Sequence, residues 1–309
     1  MNPHGIHHVT AITARARDNH DFYTCTLGLR LVKKTVNQDD VSAYHLFYAD
    51  GAGTPGTDLT FFDWPTAPEQ RGTSSVTRTG LRVDNTATLE WWRHHLGLTH
   101  DIAERDGRSV LDFEDPEGQR LSLVADETGD TGTQWHRSPI PPEHQIRGLG
   151  PLLLSVPKFE RTDAIFRGLL NLRPLRTYQL ASRDVHVYQT GETPGPAREL
   201  HLIVEPGAPM TRQGAGGVHH LALRTTLADY DAWAQRLSEA GVPHSGPVNR
   251  FWFHSLYFRE PNGILIELAT DEPGFTADEP LDKLGETLSL PPFLEPRRRE
   301  IEAGLKPLA

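Results

Sequence analysis

The hydrophobic positions of the chain fall into short alternating runs, interrupted four times by an amphipathic stretch that stops at Leu-Gly or a near equivalent. Alternation at period two marks half-buried strands, whereas apolar residues three and four apart mark helices. Together they predict a unit of one strand, one helix and three further strands, about fifty residues long and repeated along the chain. The first copy opens at Gly5-Ile6-His7-His8-Val9-Thr10, carries a helix through Asp21-Phe22-Tyr23 that stops at Leu27-Gly28, and continues in strands over 31–38, 42–49 and 58–63. The second opens near 77–83, with a helix over 89–96 stopped by Gly97 and a last strand over 120–124. The third opens at Gly148 with a helix near 163–170, and the fourth opens at Gly217, has its helix over 227–240 stopped by Gly241, and ends at Thr270. Copies two and four share a turn signal before their last strand, Asp115-Pro116-Glu117-Gly118 and Glu260-Pro261-Asn262-Gly263.

The chain is therefore expected to be α+β, built of four βαβββ modules. Residues 1–126 would hold one pair of modules and 148–270 the other, with a Gly-, Thr- and Pro-rich linker at 127–147 and a tail at 271–309. In the last strand of the fourth copy, Asn262-Gly263-Ile264-Leu265-Ile266-Glu267-Leu268, alternation sends Ile264, Ile266 and Leu268 to the helix-covered face and Glu267 to the other. A carboxylate inside such a strand is almost never buried unless it is paired or bound to metal. The fourth copy opens Gly217-Val218-His219-His220-Leu221-Ala222-Leu223, where Leu221 and Leu223 claim the core and leave His220 facing with Glu267. The same logic in copy one leaves His8 and Thr10 on that side. Copies two and three have Thr79 or Gly80 and Pro151 at the matched place, and copies one and two have Thr60 and Ser122 in place of the glutamate. One complete set remains: His8, His220 and Glu267. Parity favours His8 and His220 as ligands over their neighbours His7 and His219. Two imidazoles and one carboxylate leave three open positions on an octahedral ion, the arrangement suited to Fe(II) binding both a substrate and O₂. If metal ligands come from copies one and four, those two modules must pack together.

Composition narrows the partners. With 31 basic and 41 acidic residues the net charge is −10, which argues against nucleic acid or an anionic membrane as partner. Cys25 is the only cysteine, so no intrachain disulfide can form. No apolar run approaches a membrane span, no signal peptide is evident, and a soluble cytoplasmic protein is expected, with a homo-oligomer left open.

The βαβββ units, the Gly-Ile-His-His-Val-Thr opening and the Asn-Gly-Ile-Leu-Ile-Glu strand resemble the vicinal oxygen chelate superfamily of glyoxalase, bleomycin resistance and extradiol dioxygenase proteins. Within it the chain is most similar to the ring-cleaving dioxygenases that act on hydroquinones, including the Trp135-His136-Arg137-Ser138-Pro139-Ile140-Pro141 segment and the 290–297 tail. The resemblance implies two open, cup-shaped mixed β-barrel halves with helices outside. It implies an Fe(II)-dependent, extradiol-type cleavage of a substituted hydroquinone or catechol-like diol by O₂, with Mn(II) as the alternative metal. It also implies supporting roles for His7 and Thr10 beside the first ligand, His219 beside the second, and Arg250 and Tyr257 on the strands leading to Glu267. Read alone, Arg250 is an exposed strand-end cation. Alternation places Tyr257 on the concave face and Trp252, Leu256 and Phe258 on the opposite one. The alternatives are a glyoxalase-like isomerase or lyase, which usually carries a second carboxylate ligand, and a metal-free binding or resistance protein that uses the cup alone.

Overall fold

The computed structural model describes residues 1–129 and 131–308. Module one comprises β1 (Ile6–Thr13), α1 (Ala16–Asp21) running into a wider π-helical turn (Phe22–Thr26), β2 (Arg30–Asn37), β3 (Asp40–Ala49) and β4 (Asp58–Asp63). Module two comprises β5 (Ser75–Val83), α2 (Thr86–His95), β6 (Ala103–Arg105), β7 (Arg108–Glu114) and β8 (Arg120–Ala125). Module three has β9 (Gly148–Val156), α3 (Phe159–Asp163) with a π-helical turn (Ala164–Leu169), β10 (Arg173–Leu180), β11 (Arg183–Gln189) and β12 (Glu199–Val204). Module four has β13 (Val218–Thr225), α4 (Leu227–Glu239), β14 (Val248–Asn249), β15 (His254–Arg259) and β16 (Leu265–Thr270). A last helix, α5 (Arg298–Gly304), lies in the tail. Helix stops at Gly28 and Gly241 take φ of +70° and +66°, a left-handed geometry that glycine alone adopts without cost.

Two eight-stranded sheets result, in the orders β14-β15-β16-β13-β1-β4-β3-β2 and β10-β11-β12-β9-β5-β8-β7-β6. Modules one and four therefore share one sheet and modules two and three the other, so each sheet takes a module from either side of the 127–147 segment. The join in the first sheet is the antiparallel pair β1–β13. In the second it is β5–β9. Apolar faces of the strands, with Val9, Leu221, Ile266 and Leu268 among them, meet the helix residues Trp92 and Trp233 in a common core. The cup of the first sheet has its own smaller cluster: Val32, Phe47, Ala222, Trp252, Phe253 and Phe275.

The tail is anchored at that cluster by a buried cation. Lys33 on β2 has a fully buried side chain that donates to Asp278 (2.8 Å), to Glu279, and to the Phe275 carbonyl (3.2 Å). Its ammonium also sits 5.0 Å from the centre of the Trp252 ring. The Trp252 indole N–H donates to Asp278 at 2.8 Å. Trp252 thus departs from the sequence reading, which set it opposite Tyr257. β15 begins only at His254, and Phe251 has a φ of +74°, so the two-residue alternation does not extend back to Trp252.

Removing one partner of a buried ion pair leaves the other uncompensated. Lys33→Met is expected to lower stability by about 3 kcal/mol and to expose the 271–308 segment to protease. Urea titration and limited proteolysis of the variant check this; unchanged resistance in both would show that the tail is held by its apolar contacts alone.

Candidate metal centre

β1 and β13 run side by side with two irregularities in their register. Ile6 faces Leu223 and His8 faces Ala222, so His7 is an extra residue on β1. Thr10 faces His220 and Ala11 faces Val218, so His219 is an extra residue on β13. Such bulges re-aim side chains next to functional sites. Here they let both members of each His-His pair lie against the cup while Val9 and Leu221 stay in the core.

The structure brings His8, His220 and Glu267 together. Nε2 of His8 lies 3.3 Å from Nε2 of His220, and Oε2 of Glu267 lies 3.1 Å from the first and 2.9 Å from the second. All three are at most 3% exposed. Three donor atoms at right angles and about 2.1 Å from one ion would stand about 3.0 Å apart, against about 3.4 Å for tetrahedral spacing. The two separations to Glu267 match the octahedral value, and the 3.3 Å between the imidazole nitrogens lies nearer the tetrahedral one.

Burial first, then the neighbouring His8, pushes the His7 imidazole down to about 3, so it is neutral. Its Nε2 lies 3.2 Å from the Thr270 carbonyl, which can only accept, so Nε2 carries the proton and Nδ1 is an acceptor. The 2.9 Å contact between His7 Nδ1 and His8 Nδ1 is then donated by His8, whose Nε2 faces the Glu267 carboxylate. His219 meets His220 through a comparable 2.8 Å Nδ1–Nδ1 contact. Burial would raise the Glu267 carboxyl, but the adjacent His8 and His220 hold it well below the usual range, and among the described residues its Oε1 has no partner. Two imidazole nitrogens and a carboxylate converging on one point, with an orphaned carboxylate oxygen, fit a cation.

Around this point lies a narrow cleft walled by Phe47, Phe62, Trp252 and Phe253 with His8 and His220 at its base. Tyr257 enters it from β15, opposite Glu267 in the ladder, with its ring 5.7 Å from that of His220. Burial, and then Glu267, push its phenol well above the ordinary value. Arg250 also lines the cavity; its guanidinium lies 5.6 Å from the Tyr257 ring and pairs with Asp39 at 2.8 Å. It is therefore a wall residue rather than a free strand-end cation. Thr10 does not reach the ligands directly. Its hydroxyl meets that of Thr60 at 2.8 Å, and Thr60 meets Nε2 of His45 at 3.0 Å.

His45 was not singled out from the sequence. It lines the cavity between Phe47 and Phe62, with ring centres 4.0 and 4.4 Å away. The signal that could have found it is alternation in β3, which puts His45 on the same face as Phe47. The sequence reading of module two also needs correction. Ser122 pairs with Gly80, as Glu267 pairs with Ala222, so the residue matching His220 is Arg78 rather than Thr79 or Gly80.

A second group of close ligand atoms, Asp106, Glu199 and His201, lies in the other cup. Arg108 and Arg176 already engage both carboxylates, Arg108 reaching Glu199 at 2.8 Å and Arg176 at 2.9 Å. Its charge is satisfied by guanidinium groups, and it is a closed ion network.

Because His7 is neutral in the fold down to about pH 3 but titrates at 6.5 when unfolded, the unfolded chain binds the extra proton between those values. Folding stability of chelator-treated protein should therefore fall as pH drops below about 6.5, with a His7 contribution of up to about 1.4 kcal/mol per pH unit. His7→Gln should flatten that slope in urea titrations at pH 7, 6 and 5; an unaltered slope would mean that His7 is already charged in the fold.

Comparison with known proteins follows the same lines. The family model described as the Glyoxalase/Bleomycin resistance protein/Dioxygenase superfamily matches residues 148–268. The chain is 48% identical to a Bacillus subtilis protein named "Putative ring-cleaving dioxygenase MhqA", over the full length of both. It is 31% identical to the chlorohydroquinone/hydroquinone 1,2-dioxygenase of Sphingobium indicum, covering 96% of this chain and 94% of the relative. Among solved structures, one titled a "putative dioxygenase" from Bacillus subtilis superposes with a TM-score of 0.92 at 33% identity, covering 100% of this chain and 98% of that one. Glyoxalase I of Zea mays matches at a TM-score of 0.63 and 16% identity, over 86% of this chain and 92% of that one, a likeness of fold alone.

Proposed function

The chain belongs to the glyoxalase/bleomycin resistance protein/dioxygenase superfamily, and from that premise we propose that it is an Fe(II)-dependent, extradiol-type ring-cleaving dioxygenase. Its substrate class is a substituted hydroquinone or catechol-like diol, and both atoms of O₂ enter the ring-opened product. The observation that carries this reading is the convergence of His8 Nε2, His220 Nε2 and Glu267 Oε2 at the base of an aromatic-walled cavity. The relatives matched over nearly their whole length carry ring-cleaving dioxygenase names, which supports the same chemistry here.

In this reading His8, His220 and Glu267 hold the metal. A ferrous ion held by two histidines and one carboxylate supplies open coordination positions and an electron for dioxygen chemistry. The chain's own residues prepare the diol. Phe47, Phe62, Trp252 and Phe253 take the flat ring and exclude water. Arg250, next to the Tyr257 ring, favours the ionised form of a substrate hydroxyl by its fixed charge. The Tyr257 phenol, with its raised pKa, stays protonated and can donate to the oxygen that develops charge. His7 and His219 fix the orientation of the two liganding rings, the usual work of groups behind a metal ligand. Among the described residues the cluster contains one carboxylate, Glu267, without the second acidic ligand that a glyoxalase-like lyase usually brings.

The test is iron analysis of anaerobically purified protein together with oxygen uptake on a panel of hydroquinones and catechols. Stoichiometric iron and uptake with a diol are expected; the absence of both would overturn the reading. Glu267→Ala should lose iron and turnover together. Tyr257→Phe should keep its iron while turnover falls by roughly 10²-fold or more, the range of general acid–base help. Undiminished turnover in that variant would reduce Tyr257 to a packing residue.

A further inference from the structure

The polar groups on the cavity wall are unevenly used. Gln38 Nε2 donates to the Arg250 carbonyl at 2.8 Å, and Asn37 Oδ1 accepts from the Asp39 amide at 2.9 Å. Arg250 is engaged by Asp39 at 2.8 Å. These groups hold the cavity mouth together. Two others retain unused capacity. Thr35 is 1% exposed, and its hydroxyl has no hydrogen-bond partner among the described residues. His45 spends Nε2 on Thr60, and among the described residues Nδ1 has no partner.

These two residues stand directly opposite one another in the antiparallel β2–β3 ladder. Directly opposed side chains on one face lie within about 5.5 Å at Cβ, close enough to share one ligand group. Both line the same cavity as His8, His220 and Tyr257. Their strands lie on the module-one flank, with β4 between β3 and β1, whereas Arg250 and Tyr257 approach from the module-four flank. A buried hydroxyl without a partner is uncommon in native proteins, and each such case calls for an explanation. A bound polar group supplies one.

We propose that Thr35 and His45 recognise the second hydroxyl of the diol, the one not held at the metal ligands, and so select rings whose two hydroxyls lie para to each other. This rests on the dioxygenase reading and deepens it by assigning two specificity-determining residues. A hydroxyl at the far end of the ring is both donor and acceptor, which matches one threonine hydroxyl and one imidazole nitrogen. The aromatic residues between the two ends fix the ring plane. In a catechol the second hydroxyl lies beside the first and leaves Thr35 and His45 unpaired. A site built around a hydrogen bond discriminates against ligands that leave its polar groups buried and unsatisfied.

The experiment is anaerobic calorimetric binding of hydroquinone, 4-methoxyphenol and catechol to the iron-loaded protein, followed by oxygen uptake with hydroquinone and catechol. 4-Methoxyphenol keeps one hydroxyl for the metal end and lacks the donor at the other. The parent should prefer hydroquinone over 4-methoxyphenol and over catechol by about tenfold, the value of one or two neutral hydrogen bonds. Thr35→Val, close in shape but without the hydroxyl, should keep its iron and lose most of that preference. Thr35→Ser should restore it, and His45→Asn gives an independent second loss.

Equal weakening toward all three ligands in Thr35→Val and His45→Asn would overturn the assignment, as would a parent without preference. If the parent prefers hydroquinone yet consumes no oxygen with either diol, the reaction reading fails while the recognition stands. If oxygen is consumed and Thr35→Val keeps the parent's preference, the recognition fails while the reaction stands.

Discussion

Everything at the candidate site depends on one antiparallel pairing, β1 against β13. The two strands are far apart in the sequence, yet His8 faces Ala222 and Thr10 faces His220. The arrangement has local twofold character: each strand supplies one histidine, and each carries one extra residue, His7 or His219, as a bulge. Without the bulges a strand would send consecutive side chains to opposite faces. With them, two histidines from each strand reach the polar side while Val9 and Leu221 remain in the core. The bulge thus reconciles a dry core with a wet, acceptor-rich cup on a single pair of strands.

That geometry creates an electrostatic demand which the rest of the first sheet answers. Three possible ligand atoms meet within 3.3 Å while the outer histidines take the Nδ1 side of each inner ring. His7 is in turn fixed by the Thr270 carbonyl at the end of β16, the strand that also carries Glu267. The cavity above is shaped from further away. Lys33 draws Asp278 and Glu279 onto β2, and Asp278 holds the indole of Trp252, which is part of the cavity wall. The tail is therefore connected to the site through one buried ammonium group rather than being an appendage.

Repetition made most of this legible in the sequence. Helix stops, turn signals and strand starts recur, and a glutamate among Ile and Leu in a strand is conspicuous because nothing apolar can compensate its charge. The same parity put His8, His220, Glu267 and Tyr257 on one face, and there the structure places them. Legibility ended where the chain leaves regular geometry or where a residue is ordinary by type. Trp252 was set on the wrong face because a positive φ at Phe251 interrupts the alternation before β15. Arg78 was missed because bulges at the β5–β9 join shift the count by one. Thr35 carries no local signal, and alternation in β3 puts His45 beside Phe47 without marking a role; the significance of both lies in what surrounds them across strands rather than along the chain.

The two cups show how the same framework can carry chemistry on one side only. In the second sheet the positions that match His8 and His220 hold Arg78 and Pro151, and those matching Thr60 and Glu267 hold Ser122 and His201. Proline offers no side-chain donor, and a guanidinium puts a fixed positive charge where a cation would have to sit. The neighbouring acids are drawn to Arg105, Arg108 and Arg176 instead, with Asp112 meeting Arg105 at 2.6 Å. A buried charge must be compensated in either cup. In the second, arginine side chains do so permanently and leave a closed network. In the first, among the described residues no Lys or Arg pairs with Glu267, and its ion-pair partners are the His8 and His220 imidazoles. In the proposed reading a bound cation completes that compensation, and the contrast in charge partners separates a cup suited to a metal and a substrate from one closed by its own arginines.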